Sequence, residues 1–204
     1  MLDLLLHPVR LRIVHAMFGG RTRTTSDLCL SLADVPKTTV YRHVGLLSEA
    51  GVLEVVSEHR VHGAVERTFR LRRERSVIGA DAAASMSLED HRHGFAAATA
   101  ALLAEFNAYL SRQRADPTAD SVSYRQFTLW LDPRELAELI AQVRNAILSK
   151  MGAKPTPSRT PYLASTLLLP LADVRGSGPT TVRSSQAAAD GVRVRKPRSR
   201  GKRR

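Results

Sequence analysis

The stretch KTTVYRHVGLLSEAG, residues 37–51, decides the fold of the first part of this chain. Val40, Val44 and Leu47 recur at helical spacing, and the final glycine is a natural residue for the end of a helix. The spacing predicts a helix over about residues 36–50 with one buried face. The other face is predicted to carry free hydrogen-bonding side chains, namely those of Lys37, Thr38, Thr39, Tyr41, Arg42 and His43.

Two helical segments precede this stretch, and a turn separates them from it. Residues 4–18 have an apolar stripe of helical period that ends at a Gly-Gly pair, with a proline tolerated in the first turn. Thr24 and Asp27 are spaced as a capping box, which predicts a short helix immediately after them. Residues 33–36 read ADVP, and a turn is expected there because the residue before a proline disfavours helix.

Residues 52–71, VLEVVSEHRVHGAVERTFRL, predict a β-hairpin after the helix. Apolar and polar positions alternate on both sides of a polar, basic break at residues 58–63, where Gly63 permits the turn. Helix, helix, turn, helix and hairpin is the element order of a winged helix-turn-helix. The predicted fold of residues 1–73 is therefore mainly α with a β-hairpin wing.

Three segments carry a resemblance to a known family: HPVRLRIV (7–14), VPKTTVYRHVGLLSEAGVLEVV (35–56) and RVHGAVERTFRL (60–71). Over these segments the sequence resembles the ArsR-type winged-helix transcriptional regulators in the broad sense. The resemblance implies a sequence-specific regulator that binds double-stranded DNA as a homodimer. Its recognition helix would enter the major groove, and the wing, about residues 58–67, would lie on the flanking groove.

The free face of the predicted helix has the side chains that a major groove requires. Arginine pairs bidentately with guanine, threonine methyls meet thymine methyls, and hydroxyls reach phosphates. Recognition helices place their N-terminal residues at base edges, so residues 37–42 are the expected readout segment. In the wing, Arg60 and His62 are expected at the minor groove or its phosphates. Arg67 lies further down a strand, where two nearby glutamates are alternative partners.

Neither a metal site nor an active site is predicted. Metal-sensing members of that family use paired cysteines, or carboxylate and histidine pairs on the dimer helix, whereas Cys29 stands alone between leucines. The segment EDHRH (89–93) brings Glu89 and His93 to one helix face, but it is also typical of a solvated helix N-terminus. Walker, GxGxxG, GxSxG and zinc-hydrolase motifs are absent from the sequence, so we expect no enzymatic activity and no cofactor.

The remainder of the chain predicts a long helix followed by a small unit. Residues 74–115 lack proline and contain a long apolar stripe, which indicates a linker and a dimerisation helix. Residues 116–172 predict a β-α-β unit for effector binding or dimerisation, and loosely resemble the effector module of some regulators in that group. Amphipathic aromatics of this unit are candidates to line a pocket for an unknown small-molecule effector, although such residues are more often core: Tyr124, Trp130 and Tyr162.

The net charge of +12 is concentrated at the C-terminus. Residues 191–204 hold eight basic residues and no acid, so the rest of the chain carries only +4. The Gly, Ser, Pro and Arg content predicts that residues 173–204 form a disordered basic tail. Such a tail attracts polyanions without reading sequence. A nonspecific or architectural nucleic-acid binder is therefore an alternative function, and a winged-helix protein-interaction module is another.

The sequence also bears on the compartment. Its single cysteine fits a reducing cytoplasm, and its N-terminus lacks the pattern of a signal peptide. No apolar run approaches the roughly 20 residues that cross a bilayer. We therefore predict a cytoplasmic protein without a membrane partner.

Overall fold

The computed structural model describes residues 2–61, 63–76, 79–151, 153 and 155–171. Helices and strands occur in the order α1 Leu2–Leu5, α2 Pro8–Met17, β1 Thr22–Thr24, α3 Thr25–Ser31, α4 Lys37–Glu49, β2 Leu53–Val61, β3 Ala64–Leu71, α5 Ala80–Ala84, α6 Leu88–Leu110 and α7 Pro133–Met151. A single 3-10 turn follows β3 at Arg73–Arg75. The predicted tail, residues 173–204, lies outside the described residues.

The helix predicted over residues 4–18 is divided in two. Pro8 has no N–H to donate to an earlier carbonyl, and it occupies the first position of α2. His7 is extended, and its Nδ1 accepts a hydrogen bond of 3.2 Å from the N–H of Val9. His7 therefore caps α2, and α1 is a separate short turn of helix.

The helix-turn-helix is built as its local signals predict. Thr24 and Asp27 form both hydrogen bonds of a capping box at the start of α3, 2.8 Å and 3.1 Å long. Gly51 follows α4 with a φ of 69°, in the left-handed region that favours glycine. One core joins α2, α3, α4 and the sheet, and its largest fully buried apolar side chains are Ile13, Met17, Leu28, Leu32, Leu47, Leu53, Val40 and Val52.

The wing is a three-stranded antiparallel sheet in the order β1-β3-β2. β1 was not predicted, because a three-residue strand is too short to show an alternating pattern. The predicted hairpin is confirmed, with a register irregularity between Val55 and Ser57. β2 extends to Val61 and β3 begins at Ala64, so the turn between the strands is shorter than the break predicted at residues 58–63. The predicted winged helix-turn-helix fold is confirmed.

Two predicted helices follow the wing. Ser87 and Asp90 form a capping box at the start of α6. α6 packs on α2 and buries the small residues Ala97 and Ala101. Asp132 caps α7 as predicted, since its carboxylate accepts hydrogen bonds from the next N–H groups of the helix.

The two strands of the predicted β-α-β unit do not form. The segments at 122–131 and 162–171 are irregular, and nearly all their residues are exposed. The alternation of apolar and polar residues indicates which side chains a strand would bury. A strand also needs a neighbouring strand that accepts and donates its ladder hydrogen bonds. Neither segment has such a ladder, so within the described residues of the unit only the helix is present.

The chain divides into two compact units, residues 1–163 and 164–204. All the helices and strands named above belong to the first unit. In the second, the described residues 164–171 are irregular and exposed. The functional boundaries predicted at residues 73, 115 and 172 remain predictions.

Candidate nucleic-acid interface

α4 separates an apolar face from a polar face. Val40, Val44 and Leu47 are buried in the core, as predicted. No side chain caps the helix at its N-terminus, where Pro36 precedes the first turn. The predicted readout residues lie on the accessible side, with Thr39 half-buried and the others exposed: Lys37, Thr38, Tyr41 and Arg42.

His43 does not belong to this free face, and its prediction as a DNA contact is corrected. The side chain is only 2% exposed. Residue 43 follows Val40 by three positions and precedes Leu47 by four, which places it on the buried stripe of the helix. Both ring nitrogens of His43 are buried, and neither has a hydrogen-bond partner in the described part of the chain. A buried ring has no access to a DNA groove.

His43 lies beside His7, with their ring centroids 4.4 Å apart. Burial lowers the pKa of His43 from 6.5 to about 4, and the charges on His7, Arg42 and Arg10 act in the same direction. Burial also lowers the pKa of His7. His43 is therefore neutral at pH 7, and its protonation opposes the packing of α4.

The wing carries charges of both signs. Arg60 lies in β2 opposite Val65, where it is exposed and forms no ion pair with another described residue. Arg67 donates from Nε to an oxygen of Glu58 at 2.8 Å across the hairpin. Exposed pairs of this kind contribute about 0–1 kcal/mol, so a phosphate can compete for Arg67. His62, the third predicted wing contact, lies outside the described residues.

Arg12 is a residue that the sequence reasoning missed. Its side chain is 2% exposed, and its guanidinium donates to both carboxylate oxygens of Asp34 at 2.6 Å and 2.8 Å. Its Nε donates to Glu105 on α6 at 3.0 Å. The hydrogen bond from Arg12 lowers the pKa of Asp34. The sequence feature that could have identified Arg12 is its position. It lies three residues after Val9, within the apolar stripe of the helix.

The three aromatic residues predicted to line an effector pocket do not form one. Tyr124, Trp130 and Tyr162 are 80%, 85% and 67% exposed. Tyr124 contacts Phe106 of α6 edge-on, with ring centroids 6.1 Å apart. Among the described residues, no ring contact joins any two of the three. The prediction placed these residues on the two strands of the β-α-β unit, and neither strand forms.

The two long helices leave large apolar side chains uncovered. α6 faces α2 with alanines, while its larger apolar side chains lie on a different face of the helix. We call the exposed members of that set the α6 stripe: Leu88, Phe95, Leu102, Leu103 and Leu110. α7 buries none of its residues and also exposes aliphatic side chains. Exposed apolar surface of this extent is typical of a surface that binds a partner.

The candidate metal ligands do not assemble. Cys29 is a buried core residue of α3. Glu89 and His93 share a face of α6 with 3.2 Å between Oε1 and Nε2, and Glu89 also binds Arg92. Throughout the described ranges, no group of three or more potential ligands is brought together.

Within the described ranges, no helix has the length and apolar character needed to cross a membrane.

The fold and the polar face of α4 together define a winged helix-turn-helix protein. Residues 5–56 match the sequence model of a helix-turn-helix domain family. The match covers α2, α3, α4 and the start of β2, which are the elements that hold the exposed polar face. It supports a DNA-binding regulator of the helix-turn-helix class. No curated protein matches the chain.

Proposed function

We propose that this protein is a homodimeric, sequence-specific transcriptional regulator that binds double-stranded DNA in the cytoplasm. The observation that carries the proposal is the division of α4 into two faces. Its aliphatic residues fix the helix on the core, and its polar residues project from it beside a wing. In this arrangement α4 enters the major groove, and the wing lies on the flanking groove.

The exposed residues of α4 have separate tasks in this proposal. Arg42 projects a bidentate donor suited to guanine, and the methyl of Thr38 suits thymine. Lys37 lies in the first turn, where the uncapped N–H groups of the helix also favour a phosphate. These phosphate contacts set the register of α4, whereas Arg42 and Thr38 read bases.

Replacing Arg42 with alanine is expected to lower affinity for a selected DNA site about tenfold, because one bidentate base contact is worth about 1–3 kcal/mol. Affinity for random DNA should fall much less. The measurement is fluorescence anisotropy with both DNAs at one salt concentration. Arg92→Ala is the matched control, since it removes an equal charge from an exposed position on α6.

The outcome of this experiment separates the proposal from its alternatives. Equal affinity of the wild-type protein for selected and random DNA would exclude a sequence-specific reader. If deletion of residues 191–204 then abolished all binding and its salt dependence, the nonspecific binder driven by the basic tail would be favoured. A complete lack of DNA binding at moderate salt would favour a protein-interaction module.

The dimer in this proposal uses the α6 stripe. A Leu103→Glu change places a charge among apolar side chains that a second copy would cover, so we expect a monomer. Sedimentation velocity across a concentration series measures the change. Ala100→Glu is the control, because Ala100 is exposed and lies off the stripe on the same helix. A wild-type protein that stays monomeric at tens of micromolar would contradict the dimer.

A further inference from the structure

One buried guanidinium connects the turn of the helix-turn-helix with the long helix. Arg12 extends from α2, and its planar fork takes both oxygens of Asp34 on one side. The remaining Nε is used by Glu105 of α6. The Arg12 side chain is almost fully buried, whereas the two carboxylates remain partly exposed. The geometry of all three groups is fixed by one planar side chain.

Asp34 lies in the turn that sets the direction in which α4 starts. It lies in the turn two residues before Pro36, the residue that precedes the first turn of α4. The turn is closed by a backbone bond of 2.9 Å from the N–H of Val35 to the carbonyl of Leu32. Among the described residues no side chain caps α4, so this end of the helix is held by the packing of Val35 and Val40 on the core. The hydrogen bonds from Arg12 to Asp34 add a polar hold on the turn from which α4 starts.

Glu105 sits on the helix whose other surface is uncovered. It follows Ala101, which is buried against α2, by one helical turn. The α6 stripe lies on a different face of the same helix. A second copy that binds this stripe and shifts or tilts α6 therefore moves Glu105 relative to the buried guanidinium of Arg12.

We infer that Arg12 is a positioning residue that couples α6 to the recognition helix, so that the placement of α6 sets the affinity of α4 for its DNA site. Arg12 contacts neither DNA nor a ligand in this scheme. It acts through Asp34 on the entry of α4. The inference rests on the proposed function, because it assigns a route by which that function is regulated.

The test removes the charge at the α6 end of the link and keeps the size of the side chain, so that a neutral hydrogen bond replaces a charge-assisted one about twice as strong. Glu105→Gln is expected to lower affinity for the selected DNA site three- to tenfold and to leave affinity for random DNA unchanged or slightly higher. The direction of the change in affinity distinguishes an altered geometry from the loss of a charge. Loss of a negative charge alone strengthens binding to a polyanion, so a weaker specific complex reports altered geometry. Glu89→Gln removes the same charge from an exposed pair on α6 and should show no specific loss.

A second measurement needs no DNA. Hydrogen exchange of the amides in the first two turns of α4 is expected to speed up severalfold in Glu105→Gln and not in Glu89→Gln. In an Asp34→Asn background, Glu105→Gln should add little, because both carboxylates act through Arg12. Unchanged α4 exchange in Glu105→Gln, or fully additive effects of the two changes, would overturn the inference.

The two measurements also separate this inference from the proposed function. If the wild-type protein does not prefer the selected site, the proposed function fails, whatever the exchange of α4 shows. If it prefers the site and Glu105→Gln binds both DNAs as the wild type does, the proposed function stands and the coupling is excluded.

Discussion

Truncating Leu47 to alanine is expected to lower the free energy of unfolding by about 3 kcal/mol, the largest effect of any single change considered for this protein. Leu47 is 0% exposed and lies where α4 meets the core shared with α2, α3 and the sheet. Removing three buried carbon atoms there loses the free energy that is gained when they are transferred out of water. It also leaves a cavity that the surrounding helices fill only in part.

Chemical denaturation followed by circular dichroism measures this loss. Leu46→Ala is the matched control, because Leu46 is the neighbouring leucine of the same helix and is 37% exposed. We expect it to cost about 1 kcal/mol or less. Equal losses for the two variants would contradict the assignment of the buried face of α4. It would also remove the basis for treating the opposite face as the reader.

Acidification is expected to destabilise the protein through His43. In the unfolded chain this imidazole has the ordinary pKa of 6.5, whereas in the folded protein burial lowers its pKa to about 4. Above pH 6.5 both states are neutral and the difference has no effect. Between pH 6.5 and pH 4 only the unfolded state binds the proton, so stability falls as pH falls. At pH 5 the loss is about 2 kcal/mol.

His43→Leu tests this prediction by removing the proton site while keeping an apolar side chain in the core. At pH 7 the variant should match or exceed the wild type in stability, because the replaced ring has two unpartnered nitrogens. At pH 5 it should be more stable by about 2 kcal/mol. His91→Gln, at an exposed position on α6, is the control and should retain the wild-type pH dependence. A wild-type stability that is flat from pH 7 to pH 5 would contradict the prediction.

The fold of the N-terminal part of the chain could be predicted from local sequence signals. Capping boxes at Thr24 and Ser87, a terminal glycine at Gly51 and the 3.6-residue stripe of α4 each act within a few residues of the chain. Their geometry is therefore readable before any tertiary contact is known. The free polar face of α4 followed in the same way, with one exception.

That exception is His43, whose position and whose polarity predict different environments. Its spacing from Val40 and Leu47 places it on the buried stripe of α4, whereas a polar side chain is predicted to be exposed. The side chain is instead buried against His7, a residue from the other end of the helix-turn-helix. The packing of α2 against α4 decides between these two predictions, because His7 at the start of α2 lies against the ring of His43.

The predicted β-α-β unit failed for a related reason. Alternation along residues 122–131 and 162–171 is a property of each segment alone, but a strand exists only with a hydrogen-bonded neighbour. The effector pocket predicted from Tyr124, Trp130 and Tyr162 depended on those strands and is not formed. The helix between them needed only its own cap and stripe, and it is present as predicted.

The sequence alone determined α4, the capping boxes, the hairpin and the winged helix-turn-helix order, because these depend on interactions between residues close in the chain. Tertiary structure decided that His43 is buried and that Arg12, which already holds Asp34, also binds Glu105, 93 residues further along the chain. Contacts of that separation arise when helices pack, and an isolated charged residue in an apolar stripe does not reveal its partner. The sequence predicted α4 and its polar face, whereas the hydrogen bonds of Arg12 to Asp34 and Glu105 appeared only in the folded structure.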